Sequence, residues 1–237
     1  MKGAMKCVAW LLTVGLWACG GDDDAANPAP SQMSRELAGV RRTMETQPNS
    51  PILYYQIGQI YERYAMTDSA LAAYDRSVLL HEAFPEAHQR RGDLHFQQQE
   101  LTMAAGAYEQ ASRFAPGDAS IHNNRGFIYR QMGRLAEAAS AYEQALVCDS
   151  TFVEAINNLG QVHRESGDTT AAIASFRRAL IVDADFRQAY INLTGTLKES
   201  GQVEAERAVL ESMVTRFGVG SREGDFAASR LAELGDA

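Results

Sequence analysis

The 237-residue sequence has little cysteine and no cluster of positive charge. Its three cysteines, Cys7, Cys19 and Cys148, include no CxxC pair and no partner at metal-ligand spacing. With 22 Lys and Arg against 30 Asp and Glu, the formal net charge is −8. Non-specific binding to nucleic acid requires clustered Lys and Arg, so nucleic acid is not an expected partner.

The motifs of common catalytic sites are also missing. The sequence contains no GxSxG, HExxH, GxxxxGKS or GxGxxG. His88 and His122 occupy one position of a repeated pattern, and His95 and His163 occupy another. We expect these histidines to be packing residues with one satisfied nitrogen rather than metal ligands. The sequence therefore predicts no catalytic residue, no metal and no cofactor, and a protein that is not an enzyme.

Residues 1–18 have the pattern of a secretory signal peptide. A short basic region precedes CVAWLLTVGLW, an apolar run of 11 residues, whereas crossing a bilayer takes about 20. The sequence LWACG at residues 16–20 resembles the lipobox of bacterial lipoproteins, with Trp17 as a departure. The resemblance implies that Cys19 is lipidated and becomes the mature N-terminus. Cleavage by an ordinary signal peptidase near Ala18, or no cleavage, are the alternatives.

Residues 19–33 are predicted to be the lipidated cysteine and a flexible tether. Their Gly, Asp, Pro and small residues cannot bury enough apolar surface to become ordered. In bacteria with two membranes, lipoproteins go to the outer membrane unless an avoidance signal, often Asp, follows the cysteine. Because Gly20 follows here, the resemblance implies an outer-membrane lipoprotein that faces the periplasm.

From residue 51 onward the sequence repeats itself every 34 residues. The recurring residues are a glycine, an alanine and an aromatic, at Gly58, Gly92, Gly126 and Gly160, at Ala70, Ala104, Ala138 and Ala172, and at Tyr74, Tyr108, Tyr142 and Phe176. This pattern resembles the signature of the tetratricopeptide repeat (TPR) family. The resemblance covers five units, residues 51–84, 85–118, 119–152, 153–186 and 187–220. It implies an all-α fold, a right-handed TPR α-solenoid of about five helix-turn-helix repeats with flanking capping helices.

Each residue type has an expected role in its unit. Apolar or small residues at positions 4, 7, 8 and 11 have the spacing of one helix face. We expect the glycine at position 8 to let the second helix approach and to face the alanine at position 20. The aromatic at position 24 should fill the gap towards the next unit. Gly133, Gly167 and Gly201 should end first helices, and Cys148 should be a small buried residue.

The flanking segments are predicted to cap the array. Residues 34–50 form the N-terminal cap, with a helix over residues 34–46. Residues 221–237 form the C-terminal cap, with an amphipathic helix over residues 224–235 whose apolar side carries Phe226, Leu231 and Leu234.

Positions 2, 5, 6, 9, 12 and 13 of each unit point away from the packed side of the first helix. In the family this side lines the concave groove, so we expect a peptide-binding groove there. Its predicted residues are Tyr55, Gln59, Gln89, Arg90, Asp93, Phe96, Asn123, Asn124, Phe127, Arg130, Asn157, Asn158, Gln161, Arg164 and Asn192, with Gln56, Ile191 and Lys198 beside them.

Asparagine occupies position 6 in three successive units, at Asn124, Asn158 and Asn192. An amide offers both donors and an acceptor, so a ladder of amides can hydrogen-bond the backbone of an extended peptide. The ladder resembles that of O-linked GlcNAc transferases. The alternative is that these asparagines are merely solvated. The residues of the carboxylate clamp that holds chaperone C-termini are absent.

These features predict a non-enzymatic, membrane-anchored scaffold that binds extended peptide segments of envelope proteins. Its layout is similar to the TPR lipoproteins that help pilus secretins assemble in the outer membrane. The alternatives are an adaptor for murein hydrolases, a TPR fragment related to O-linked GlcNAc transferases, and a secreted repeat protein without lipid. The expected partners are other proteins, and the membrane through the lipid anchor.

Overall fold

The computed structural model describes residues 31–235, so the predicted signal peptide, Cys19 and most of the tether lie outside the described residues. Within this range the chain forms twelve α-helices and no strand. The helices are α1 (Gln32–Met44), α2 (Pro51–Arg63), α3 (Thr67–Leu80), α4 (Pro85–Gln97), α5 (Leu101–Phe114), α6 (Ala119–Gln131), α7 (Leu135–Cys148), α8 (Val153–Glu165), α9 (Thr169–Val182), α10 (Arg187–Glu199), α11 (Val203–Phe217) and α12 (Arg222–Gly235).

The helices from α2 to α11 form five helical hairpins in sequence order. The two helices of each hairpin pack on each other, and each second helix also packs on the first helix of the next hairpin. The all-α repeat solenoid predicted from the 34-residue period is therefore confirmed. None of the helices described is both long and apolar enough to span a membrane.

The core of each of the first four hairpins contains a glycine packed against an aromatic ring. The rings of Tyr74, Tyr142 and Phe176 are completely buried. A Cβ atom added to Gly126 would lie 2.8 to 3.0 Å from atoms of the Tyr142 ring, closer than van der Waals contact allows. The nearest neighbour of the glycine is thus the aromatic at position 24 of its own unit.

The fifth hairpin replaces both partners of this contact. Thr194 takes the glycine position and Leu210 the aromatic position. Leu210 is fully buried, and the Thr194 hydroxyl donates to the backbone oxygen of Tyr190 at 2.9 Å. A larger residue on the first helix is therefore matched by a smaller one on the second.

The turn inside each hairpin contains one residue in the left-handed region. In units three to five it is a glycine, at Gly133, Gly167 and Gly201, with φ of +72°, +83° and +69°. These glycines follow the first helices, as predicted. In units one and two the same position holds Ala65 (φ 54°) and Gln99 (φ 63°), where a side chain makes this backbone conformation costly.

The N-terminal cap packs on the first hairpin. Helix α1 contacts α2, and it begins at Gln32, two residues before the predicted start. Leu37 is its buried residue. At the edge of this contact Glu36 and Arg63 form an ion pair at 2.7 Å.

The C-terminal cap packs on α11 through Ala227 and Gly224, which are buried. Leu231 and Leu234 pack against the cluster that contains Leu210, as expected. Phe226, in contrast, is 48% exposed, so the prediction that it lies on the packed side of α12 is wrong. The helix starts earlier than expected, and its small residues rather than Phe226 meet α11.

A buried ion pair holds the same cap in place. Glu206 occupies the alanine position of the fifth unit and is only 2% exposed. It accepts a hydrogen bond from Nε of Arg230 on α12 at 2.7 Å. A buried carboxylate requires such a partner, so this residue commits the fifth unit to be covered by α12.

The glycine–aromatic contact yields a test of stability. Replacing Gly126 with Ala should lower the free energy of unfolding by about 1–3 kcal/mol, because the new Cβ overlaps the Tyr142 ring. Gly106 in α5 is the control, since nothing lies within 4 Å of its added Cβ. Gly106→Ala should stabilise the protein by roughly 0.5–1 kcal/mol through helix propensity.

Urea denaturation followed by circular dichroism measures both variants. Adding Tyr142→Leu to Gly126→Ala, in imitation of the fifth unit, should restore part of the loss. If Gly126→Ala stabilised the protein as much as Gly106→Ala does, the contact would not limit the approach of the two helices.

Candidate functional site

The first helices of the hairpins line the inner side of the array. Helix α8 directly contacts both α6 and α10, whereas second helices of adjacent units do not contact each other to this extent. An array in which one set of helices is closer together curves towards that set. We call the surface formed by positions 2, 5, 6, 9, 12 and 13 of the first helices the inner face.

Most of the predicted groove residues lie on the inner face with partly exposed side chains. These residues are Tyr55, Gln59, Gln89, Arg90, Asp93, Phe96, Asn123, Asn124, Phe127, Arg130, Asn158, Gln161 and Arg164. Asn157 and Asn192 are instead buried, at 3% and 7% exposure.

The asparagines at positions 5 and 6 bind each other across neighbouring units. Asn158 Nδ2 donates to Asn123 Oδ1 at 3.0 Å, and Asn192 Nδ2 donates to Asn157 Oδ1 at 2.8 Å. Each pair joins two adjacent first helices. Asn157 and Asn192 are thus bonded to each other and buried, whereas Asn158 uses only its donor, because the curvature brings successive first helices close enough for their amides to pair.

Some polar groups of the inner face keep their capacity for a ligand. Within residues 31–235, Asn158 Oδ1 and the Gln161 amide have no hydrogen-bond partner. Gln161 lies one turn after Asn157 on α8 and is partly exposed. A carbonyl acceptor and a complete amide thus remain available near the middle of the array.

Two phenylalanines form an apolar patch beside these amides. Phe96 on α4 and Phe127 on α6 meet edge to face, with ring centroids 5.3 Å apart and an interplanar angle of 78°. Both are partly exposed on the inner face. Aromatic rings placed this way provide a large contact area for an apolar side chain.

The charged groups in the N-terminal half of the inner face are bound to one another. Arg90 lies 3.5 Å from Glu62 and 3.7 Å from Asp93. The buried hydroxyls of Tyr74 and Tyr108 donate to Glu62 and Asp93 respectively. Burial raises the pKa of Asp93, and the hydrogen bond from Tyr108 and the charge of Arg90 oppose that rise.

Arg130 is also already paired. Its Nε and Nη2 atoms donate to Glu165 Oε1 at 2.9 and 2.6 Å. Arg90, Asp93 and Arg130, predicted as binding residues, are therefore partnered inside the molecule. The period identified their positions, but their pairing depends on which charges the adjacent helices carry.

The remaining residues that could bind a metal or react chemically are the histidines and Cys148. His88 and His122 are buried, and their Nε2 atoms lie 2.8 and 2.9 Å from the backbone oxygens of Glu82 and Pro116, so they pack as expected. Burial lowers the pKa of His88. No group of three or more His, Cys, Asp or Glu able to hold a metal occurs in the described part of the chain. Cys148 is exposed, so the expectation that it is buried is wrong.

Phe226 lies beside the C-terminal end of the inner face, and the repeat pattern did not identify it there. The cap places it beside Ile191 of α10, and the two line a small cavity together with Arg222 and Glu223. Because α12 lies outside the 34-residue period, only the presence of a large aromatic on a short helix could have marked it.

The asparagine pairing is testable through stability. Asn192→Ala should lower the free energy of unfolding by about 1–3 kcal/mol, because it leaves Asn157 Oδ1 buried without its donor. Asn158→Ala is the matched control. It removes the equivalent bond, but its partner Asn123 is partly exposed and water can replace the lost donor, so the loss should be smaller than about 1 kcal/mol.

Thermal unfolding of the two variants distinguishes the outcomes. Equal or higher stability of Asn192→Ala would mean that its amide is free, as the sequence had suggested, and not committed to the neighbouring helix.

Comparison with known proteins agrees with this geometry. Family models described as "TPR repeat" match residues 92–133 and 126–167, and one described as "Tetratricopeptide repeat" matches residues 153–186. The search of curated proteins found no match to this sequence.

Solved structures of similar fold include YrrB, described as a TPR protein with an unusual peptide-binding site. It is 16% identical, with 82% of this chain and 100% of that chain covered and a TM-score of 0.66. PilF of Pseudomonas aeruginosa is 17% identical over 84% of this chain and 86% of that chain, with a TM-score of 0.63. PilW, described as a widely conserved type IV pilus biogenesis factor, is 22% identical over 78% and 85%, with a TM-score of 0.62.

At these identities the structural likeness establishes the fold alone. The matched repeats establish the sequence family over residues 92–186, and the same helical hairpin recurs from residue 51 to residue 217. Residues 92–186 are therefore tetratricopeptide repeats, and the described array has the fold of a TPR solenoid.

Proposed function

We propose that this protein is a non-enzymatic, membrane-anchored scaffold that binds extended peptide segments of envelope proteins along its inner face. In this way it assists the assembly of an outer-membrane or pilus complex. The observation that carries the proposal is the inner face itself, which presents the unpaired groups of Asn158 and Gln161 together with the partly exposed Phe96–Phe127 pair.

This combination suits an extended chain better than a folded surface. An extended peptide presents backbone donors and acceptors about every 3.3 Å, and an amide can satisfy either kind. Side chains that alternate along the peptide can then rest on the phenylalanine pair. Because the backbone groups are common to all sequences, such a site accepts several partners and selects among them through side chains.

Two further observations support the proposed setting. PilF and PilW both have folds similar to this one. PilW is described as a type IV pilus biogenesis factor. The first 19 residues carry the signal and lipobox pattern that predicts a lipid on Cys19. Together they favour a place at the outer membrane, facing the periplasm.

The lipid anchor is tested by Cys19→Ala in the full-length protein. Each buried lipid CH₂ contributes about 0.8 kcal/mol to membrane binding, so loss of the acyl chains should move the protein from the membrane to the soluble fraction. Cys148→Ala is the matched control, because Cys148 is an exposed cysteine with no lipobox before it. If both variants stay with the membrane, Cys19 is not the anchor.

The groove is tested by a photo-crosslinking amino acid placed at Gln161 or at Glu143. Gln161 is on the inner face, whereas Glu143 is exposed on the second helix α7. In intact cell envelopes, discrete adducts with other proteins should form from position 161 and not from position 143. Equal labelling from both positions would show that the inner face is not the binding surface.

A further inference from the structure

The C-terminal end of the inner face contains an apolar cavity. Ile191 on α10 and Phe226 on α12 are 44% and 48% exposed, although both are large apolar residues. They line the cavity with Arg222 and Glu223. Glu223 lies 3.7 Å from Arg187, so the one carboxylate at this edge already has a cationic partner. The two apolar side chains offer the cavity's contact surface for an apolar group.

The unpaired guanidinium of Arg164 lies close to α10, which is one of this cavity's helices. Nη1 of Arg164 would be 3.9 Å from a Cβ added to Gly195 of α10, so the side chain extends from α8 over that glycine. Arg164 is partly buried, and within residues 31–235 its guanidinium has neither a hydrogen bond nor an ion pair. Arg90 and Arg130 on the same face are both paired, which makes Arg164 different.

A second cation lies on α10 itself, one turn after Gly195. Lys198 is exposed, and it is the only lysine in the sequence after residue 6. Its charge acts on Glu233 of α12, whose pKa the hydrogen bond from Arg230 lowers most, but the two do not form an ion pair. In a chain of net charge −8, these neighbouring cations are complementary to a carboxylate, which an arginine binds with charge-assisted hydrogen bonds.

The spacing of these features matches an extended peptide. Ile191, Gly195 and Lys198 lie on one side of α10, at i, i+4 and i+7. With a rise of 1.5 Å per residue, Ile191 and Gly195 are about 6 Å apart along the helix. Two residues of an extended chain span roughly 6.6 Å, and residues i and i+2 point to the same side.

We propose that this end of the inner face recognises an apolar side chain and a carboxylate separated by one residue in the bound segment. The apolar side chain enters the Ile191–Phe226 cavity, and the carboxylate binds Arg164 with Lys198 beside it. This proposal rests on the proposed function, since it names the sequence feature that the peptide-binding face selects.

The test uses fluorescein-labelled eleven-residue peptides of Gly, Ser and Thr that carry one leucine and one glutamate. In one peptide a single residue separates the two, in a second they are adjacent, and in a third glutamine replaces the glutamate. Fluorescence anisotropy with the full-length protein in detergent should show about tenfold tighter binding of the first peptide than of the other two, the contribution of one charge-assisted hydrogen bond.

Variants of the protein assign the effect to its residues. Arg164→Gln should abolish the preference for glutamate over glutamine, and Phe226→Ser should weaken binding of all three peptides. Arg177→Gln is the matched control, because it makes the same charge change on an exposed residue of the second helix α9 and should leave the preference unchanged.

A carbodiimide supplies an independent readout, since it joins a carboxylate to an amine only when the two are in contact. The glutamate of the first peptide should become linked to Lys198, the only lysine among the described residues.

The results separate this inference from the proposed function. If the peptides bind with equal affinity and Arg164→Gln changes none of them, the inference is wrong, and crosslinking from Gln161 still supports the proposed function. If no peptide binds and Gln161 gives no adduct, both are overturned.

Discussion

The contact between a glycine on the first helix and an aromatic ring on the second determines how closely the two helices of a unit approach. At Gly126 the first helix contributes no side chain, so the Tyr142 ring of the second helix packs directly on its backbone. Each second helix in turn packs on the first helix of the next unit. The spacing of the two helices within one unit therefore also affects the position of the next unit. The fifth unit uses Thr194 and Leu210 instead, which shows that the constraint is the combined volume of the pair, not glycine itself.

This close packing decides which polar groups remain for a ligand. On the inner side, successive first helices approach until Asn157 and Asn192 bond to each other and become buried. Their amides stabilise the contact between adjacent units. The polar groups available to a ligand are therefore those without a hydrogen-bond partner inside the array. In the N-terminal half most charges are paired, as Arg90 is with Glu62. At the C-terminal end Arg164 is not, so the two ends of the inner face have different chemistry.

The roles of the residues that recur every 34 positions could be predicted from the sequence. The contacts that depend on the distance between units could not. A fixed period places Gly133 after its helix and Tyr142 in the core, because every unit solves the same local packing problem. The period gives a residue's direction around its helix but not the gap to the next helix, so the burial of Asn157 was missed. Phe226 lies outside the repeats, where a short helix has several possible packed sides. The lipid on Cys19 stays a prediction.

The left-handed turns do not contribute equally to the stability of the five units. Ala65 and Gln99 adopt a backbone conformation that costs a non-glycine residue roughly 1–2 kcal/mol, whereas the three later units use glycine. Stability in a linear repeat array is approximately a sum over units and their interfaces, so the first two hairpins have the lowest cost of local opening from this source. A mechanical load applied at the N-terminal end reaches those hairpins first. The backbone strain at Ala65 and Gln99 favours opening of these hairpins relative to the hairpins that carry Arg164 and Ile191.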